Sequence, residues 1–223
     1  MKNICFINGS PKGKGSNSLL FLNRLDEDMN ENNSNRFYIH ITSSIHSGKI
    51  EEDFKRVSHA DVIVFAFPLY VFSLPGVLMR FLEDYYMYFK NNNKSPKNVR
   101  VYAIINCGFP EPTINDEAIR VLKNFCVRLN LNWRFAASIG MGEIVGATKD
   151  IKFMQMLCSK VYSSLYEINK DIENNIEIVA ENKYASPNFP IFLFREIGKL
   201  NWINTAKKNG LSKKDLYKKP YLT

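Results

Sequence analysis

The sequence predicts a doubly wound α/β fold: a five-stranded parallel sheet in the order 2-1-3-4-5, helices on both faces, and a C-terminal basic extension. Three observations predict it. Short apolar runs alternate with helix-patterned segments through the first two thirds of the chain. The strongest, Asp61–Phe67 (DVIVFAF), is apolar after its first residue, as a strand covered on both faces must be. A loop rich in glycine and serine lies between the first strand and the first helix. Right-handed crossovers reduce such a pattern to a doubly wound sheet, whose ligand crevice lies where the carboxyl ends of strands 1 and 3 meet.

Each element has its own warrant. Asn3–Asn8 reads as a short buried strand, and Ser16–Met29 as a helix turning Leu19, Leu20, Leu22 and Leu25 toward the core. Arg36–Ile41 is a second strand, Ile50–Ser58 a short helix and Asp61–Phe67 the third strand. Pro75 opens a helix to about Lys90, since proline lacks an N–H that the first turn would leave unpaired anyway. Val99–Asn106 is a fourth strand, Asp116–Leu129 a helix, Asn132–Ile139 a fifth strand and Ile151–Ile172 one long helix. Residues 1–183 form the expected cofactor-binding domain. Residues 184–223, with Pro187, Pro190, an apolar helix-like stretch and a lysine-rich end, form the expected extension packed on it.

Composition excludes several function classes. The chain of 223 residues is 45% hydrophobic and 23% charged, ordinary for a globular protein with a sizeable core. No apolar run approaches the ~20 residues that span a bilayer, and a strand-like run starts at Asn3, so a cytosolic protein without a signal peptide is expected. From Pro190 onward, eight basic residues against Glu196 and Asp215 leave +6 of the net charge of +8. The body is therefore nearly neutral, and no nucleic-acid partner is expected. Cys5, Cys107, Cys126 and Cys158 form no CxxC pair, so reduced thiols are expected and no metal site.

The first loop, NGSPKGKGSNS, meets the needs of a phosphate: exposed backbone N–H groups, short hydroxyls and the positive end of a helix. It is not a P-loop, because Gly13-Lys14 is followed by Gly15 rather than a hydroxyl residue, and it lacks the third glycine of a dinucleotide fingerprint. A phosphomonoester held by Ser10, Ser16, Asn17 and Ser18, with Lys12 beside them, is the expectation. Ser16 also suits a helix N-cap.

At these residues the chain resembles a known family. GSPKGKGSNSLL looks like the FMN-phosphate loop of the flavodoxin-like NADPH-dependent FMN reductase and NAD(P)H:quinone oxidoreductase group. PLYVFSLPGVLMRFLED, residues 68–84, is similar to that group's flavin-ring loop, with Pro-x-Tyr after strand 3 and Pro-Gly at a helix start. The resemblance covers roughly residues 1–170 in order of elements. It implies FMN as cofactor, NADH or NADPH as co-substrate, a small acceptor (quinone, nitroaromatic, azo compound or flavin) and a homodimer with flavin near the interface.

A flavin ring needs a flat, mostly apolar slot with a few polar contacts. Pro68, Leu69, Tyr70, Val71 and Phe72 are expected to supply it, with Asn106 toward the pyrimidine edge, Cys107 as lining and Gly108 allowing close approach. Gly140, Met141 and Gly142 are expected to border the same crevice. No Ser-His-Asp set or carboxylate pair is evident, and His40, His46 and His59 are expected at the surface or sheet edge. The cofactor would then carry the chemistry and no side chain is assigned a catalytic role. The alternatives are a flavodoxin-like electron carrier and a non-catalytic FMN-binding protein. An iron–sulfur flavoprotein would need a cysteine cluster that this sequence lacks.

The apolar character of Val77–Phe89 extends almost all round its helix: one face suits the sheet, and the rest calls for a partner subunit, the simplest cover, or for the C-terminal extension.

Overall fold

Strand alternation decides the layers. The computed structural model describes residues 1–30, 34–92, 98–178, 180–219 and 221. Among them, six strands form one sheet in the order β2-β1-β3-β4-β5-β6: β1 (Lys2–Asn8), β2 (Ser34–His40), β3 (Val62–Pro68), β4 (Arg100–Asn106), β5 (Asn132–Ile139) and β6 (Lys183–Ala185). Every pairing is parallel. The sheet thus has one strand more than the sequence predicts. β6 is three residues long and pairs with Ala137–Ile139 at the edge, too short for alternation to register.

Successive side chains of the central strands feed two cores. Cys5, Ile7, Ile63, Phe65, Val101 and Ala103 face one side, against α3 (Ile50–Val57), α4 (Gly76–Asn91) and α5 (Asp116–Arg128). Ile4, Phe6, Val62, Val64, Tyr102 and Phe135 face the other, against α1 (Asn17–Glu27) and α8 (Ser159–Asn174). All four cysteines are buried free thiols.

Two short helices were not legible in the sequence: α2 (Ile41–Ser47), ended by Gly48 at φ +67°, and α6 (Gly142–Ala147). The helix expected over Ile151–Ile172 is two helices, α7 (Lys152–Leu157) and α8, broken at Cys158. α8 buries Val161, Leu165, Ile168 and Ile172 at helical spacing, whereas α7 buries nothing and leaves Phe153 and Met156 in solvent. The buried stripe stops at Cys158, so nothing holds α7 in line with α8.

At the amino-terminal edge of the sheet, Arg134 is the extra residue of a bulge: Val101 pairs with Trp133 and Tyr102 with Phe135. Its guanidinium, 2% exposed, donates to both carboxylate oxygens of Asp171 at 3.0 and 3.1 Å and to the carbonyls of Ile176, Glu177 and Ile178. Arg100 and the Tyr102 hydroxyl donate to the same carboxylate at 2.7 and 2.6 Å. Burial pushes the Asp171 carboxyl up, but these donors outweigh it and hold the group below its usual range.

The chain divides into two compact units, Met1–Pro187 and Asn188–Thr223. The boundary lies four residues beyond the expected one because β6 belongs to the sheet. In the second unit, α9 (Ile191–Lys208) ends at Gly210 (φ +74°), where Leu211 N–H returns to the Ala206 carbonyl. Phe192, Ile197, Leu200 and Trp202 of α9 are exposed, and only Ala206 is buried. No helix among the described residues is long and apolar enough to cross a membrane.

Candidate functional site

The carboxyl ends of β1, β3 and β4 emerge together because their pairing is in register: Asn8 lies opposite Ala66, and Pro68 opposite Asn106. Three loops leave from this edge, and their local folding follows from a few side chains.

Asn8, wholly buried, turns the first loop. Its Nδ2 donates to the Gly13 carbonyl at 2.8 Å, and its Oδ1 accepts the Ser10 N–H at 3.1 Å. Gly13 takes φ +56° there, a conformation that glycine adopts without strain. Ser16 caps α1: its Oγ accepts the Leu19 N–H at 3.2 Å and donates to the Gly13 carbonyl at 2.7 Å. Asn17 and Ser18 open α1, where backbone donors have no acceptor inside the helix, so their N–H groups are left for a partner outside it.

Side-chain amides then tie the loops together. Asn106 Nδ2 donates to Ser18 Oγ at 3.1 Å and to the Phe67 carbonyl at 3.2 Å, joining the loops after β1, β3 and β4. Asn17 Nδ2 donates to the Gly142 carbonyl at 3.0 Å, joining the first loop to α6. A Cβ at Gly146 would lie 2.0 Å from Asn17 Oδ1, so α6 and α1 approach more closely than any other residue there permits. Gly146→Ala is accordingly expected to displace Asn17 and weaken ligand binding at the first loop. Calorimetric titration with FMN checks this.

The loop after β3 is a two-residue hairpin. Tyr70 and Ser73 exchange N–H···O bonds of 2.9 Å each, with Val71 (φ +49°) and Phe72 (φ +60°) at the tip. Such turns normally carry Asn and Gly, and a β-branched residue at positive φ is an outlier. Val71 is also 94% exposed. Val71→Asn is therefore expected to stabilise the protein by about 1 kcal/mol by relieving that strain. Chemical denaturation measures this, and an unchanged or lower midpoint would refute it. Phe72 stacks on Phe109 of the loop after β4, ring centroids 6.3 Å apart, at the rim.

These loops enclose a cleft of about 150 Å³. Ser10, Lys12, Ser16, Asn17, Ser18, Pro68, Leu69, Tyr70, Asn106, Cys107 and Gly108 line it, eleven of the thirteen residues the sequence singles out for phosphate and ring. Val71 and Phe72 do not, because they form the tip of the turn, where both are exposed. Gly15 and Glu143 line the cleft as well and are not among the residues named from the sequence: Gly15 enters there only as the residue that rules out a P-loop, and Glu143 stands on α6, which carries no sequence signal. Asn8 was missed as the loop's organiser.

Gly140, Met141 and Gly142, expected at the crevice, buttress it from behind instead. Met141 N–H bonds the Phe109 carbonyl and Gly142 N–H the Cys107 carbonyl, both within 2.9 Å. The role foreseen for Asn106 narrows too: both amide hydrogens serve the loop ties, leaving Oδ1 as its free valence toward a ligand.

Burial pushes the Cys107 thiol up, as suits a lining residue rather than a nucleophile. His40, half-buried at the end of β2, approaches Asn8 Nδ2 at 3.4 Å; burial and then the charge of Lys14 lower its pKa, so it is neutral at pH 7. His46 and His59 are exposed. Among the described residues, no His, Cys, Asp and Glu group is arranged to hold a metal.

The sequence profile of a protein family described as having a flavodoxin-like fold matches residues 2–123, more than half of the chain. The chain belongs to that family. The flavodoxin-like architecture recurs in solved structures of low sequence identity. An NAD(P)H:quinone oxidoreductase from Methanothermobacter marburgensis is 13% identical, with 79% of this chain and 97% of that one covered at a TM-score of 0.58. An NADH:FMN oxidoreductase (EMOB) in its apo form is 16% identical over 77% and 90%, at 0.55. An NADPH-quinone reductase from P. pentosaceus is 14% identical over 79% and 99%, at 0.52. At such identities the likeness establishes the flavodoxin-like fold alone. No curated protein sequence matches the chain.

Proposed function

We propose that this flavodoxin-like protein is an FMN-dependent NAD(P)H oxidoreductase reducing a small acceptor such as a quinone, nitroaromatic compound or flavin. One observation carries the reading. Residues from three loops, distant in sequence and singled out for phosphate and ring binding, line a single cleft at the carboxyl edge of the sheet. The similar solved structures include oxidoreductases of this kind, which supports the reading.

The donor set fits the group. The first-turn amides of α1, the Ser10 and Ser18 hydroxyls and the Lys12 ammonium suit a phosphate dianion. At Gly15 and Gly108 even a Cβ would meet nothing within 4 Å, so both leave room for a ligand. The enclosed volume lies below the ~300 Å³ of a typical small-molecule site. A cleft of this size would take the phosphate end and the near part of the ring, and Leu69, Tyr70 and Gly108 are the lining residues that would meet the ring. FMN, when bound, supplies hydride acceptance from the nicotinamide and electron delivery to the acceptor. The chain's part is to hold the phosphate, present apolar surface to the ring and keep one ring face open. Steady oxidation of NADH or NADPH by the purified protein with a quinone tests the enzyme reading. A flavin that is reduced once and never turns over would favour an electron carrier instead.

The same reading includes a homodimer in the cytosol. α4 buries Leu78, Phe81, Leu82, Tyr85 and Phe89 but exposes Met79 and Met87, and a groove of about 420 Å³ runs between it and Val121 and Phe125 of α5. Light scattering at micromolar concentration is expected to give twice the chain mass of 25.8 kDa; particles of the single-chain mass would exclude the dimer.

A further inference from the structure

Asn8, which turns the first loop, has a side-chain amide whose orientation is fixed. Its Oδ1 accepts the Ser10 N–H at 3.1 Å and lies 3.4 Å from Ser16 Oγ, while Nδ2 donates one hydrogen to the Gly13 carbonyl at 2.8 Å. The second hydrogen of Nδ2 faces the neighbouring strand, where His40 stands opposite Asn8 in register and brings Nδ1 to 3.4 Å. Two donors cannot face each other, so Nδ1 carries a lone pair and the proton of the neutral ring sits on Nε2. The geometry of Asn8 thus selects one tautomer of His40.

The surroundings of the ring agree with that selection. Burial and then the Lys14 ammonium of the first loop disfavour a second proton on it. Asp26 of α1 is occupied by Arg36 and by the hydroxyl of Tyr38, whose ring stacks on His40 with centroids 6.2 Å apart. Asp53 of α3 reaches His40 through Ser44, which bonds the backbone carbonyl and not the ring. His46 of α2 turns to the Thr42 carbonyl. Among the described residues, no carboxylate is bonded to the His40 ring to hold an imidazolium. Thr42 Oγ1 lies 3.1 Å from where a Cβ on Gly13 would stand, so α2, which begins directly after His40, abuts the same turn.

We propose that His40 is a positioning residue for the phosphate loop, a latch that holds Asn8, and with it the Gly13 turn, while its ring is unprotonated. A proton on Nδ1 sets two N–H donors against each other and places a cation beside Lys14. Asn8 then turns away, and the Gly13 carbonyl and the Ser10 N–H lose the partner that shapes the loop. Closure is complete above the ordinary histidine pKa of about 6.5 and is lost as pH falls through the lower value held in the fold. The consequence for FMN rests on reading this loop as its phosphate site.

The test joins nuclear magnetic resonance of the intact protein to flavin titrations. Ring nitrogen shifts at pH ~7.5 should show Nδ1 unprotonated and Nε2 protonated. Between pH ~7.5 and pH ~5, hydrogen-exchange protection of the Ser10 amide should fall as His40 titrates. In His40→Asn, whose Oδ1 accepts at any pH, that protection should persist. Over the same range FMN affinity should fall by roughly a further factor of five in the wild-type protein than in His40→Asn. The phosphate loses its own second charge near pH ~6 with either protein, so the difference between them is the measure. His40→Leu, which offers no acceptor, should bind FMN about tenfold more weakly than wild type at pH ~7.5 and lack the extra acid loss. A proton on Nδ1 at pH ~7.5, or equal acid loss of Ser10 protection in wild type and His40→Asn, overturns the latch; FMN bound more tightly than riboflavin then leaves the phosphate site standing. Where FMN is so preferred, an identical pH dependence of its affinity in the two proteins overturns the latch as well. Ser10 protection that switches with His40 in a protein that binds FMN and riboflavin equally removes the phosphate reading and leaves the latch.

Discussion

Replacing Asp171 with alanine is expected to destabilise the protein by about 3–5 kcal/mol, because it strands two arginines around a buried site. Arg134, 2% exposed, would lose its carboxylate partner, and Arg100 and Tyr102 would lose their shared acceptor. For a domain of this size that corresponds to a fall in Tm of roughly 6–20 °C. Thermal unfolding followed by circular dichroism measures it, and a fall of less than about 2 °C would show that the network contributes little. A pH dependence follows from the same group. The Asp171 carboxyl is held below its usual value in the folded state, so its contribution is complete above the ordinary carboxylate pKa of about 3.9. It is lost as pH falls further, through the folded value. Below pH ~4, wild-type stability should therefore fall more steeply than that of Asp171→Asn, which has no charge to lose.

The second large effect concerns the phosphate. FMN is expected to bind more tightly than riboflavin by orders of magnitude, since several charge-assisted hydrogen bonds of ~1.5–3 kcal/mol each depend on that group. Equal affinities would sink the assignment of the first loop. The structure also selects the variant that tests it most cleanly. Ser18 is 1% exposed and accepts from Asn106, so an acidic replacement there would disturb the loop ties along with any ligand. Gly15 lines the cleft, and a Cβ added to it meets nothing within 4 Å. Gly15→Asp is expected to fold normally and to lower FMN affinity at least 100-fold by setting a carboxylate against the phosphate, while riboflavin affinity stays within a few-fold. Circular dichroism with fluorescence titration of both flavins checks all three expectations. Undiminished FMN binding by the folded variant would place the phosphate elsewhere.

These expectations draw on two kinds of information. The sequence by itself determined the α/β class, the order of the first five strands and the loops that converge, because each depends on local pattern. An unbroken apolar run such as Val62–Phe67 must be a doubly covered strand, and strand ends dictate where a crevice opens. It also pointed to most of the cleft-lining residues after β1, since glycine, serine and asparagine between a strand and a helix have few other uses, while those after β3 and β4 came from the strand ends and the family resemblance.

What only the tertiary structure decided depends on partners far along the chain. β6 exists because Lys183–Ala185 finds an open edge of β5, not because three residues prefer a strand. The break at Cys158 follows from where the core ends. Asn8 was legible as a strand terminus but not as the residue that turns the loop, because its partner, Gly13, is specified by a fold-dependent positive φ. Glu143 reaches the cleft on a six-residue helix held against α1 at Asn17, a contact across 125 positions. Local propensity is a property of neighbouring residues; a site's final shape belongs to contacts that form only when the sheet is complete.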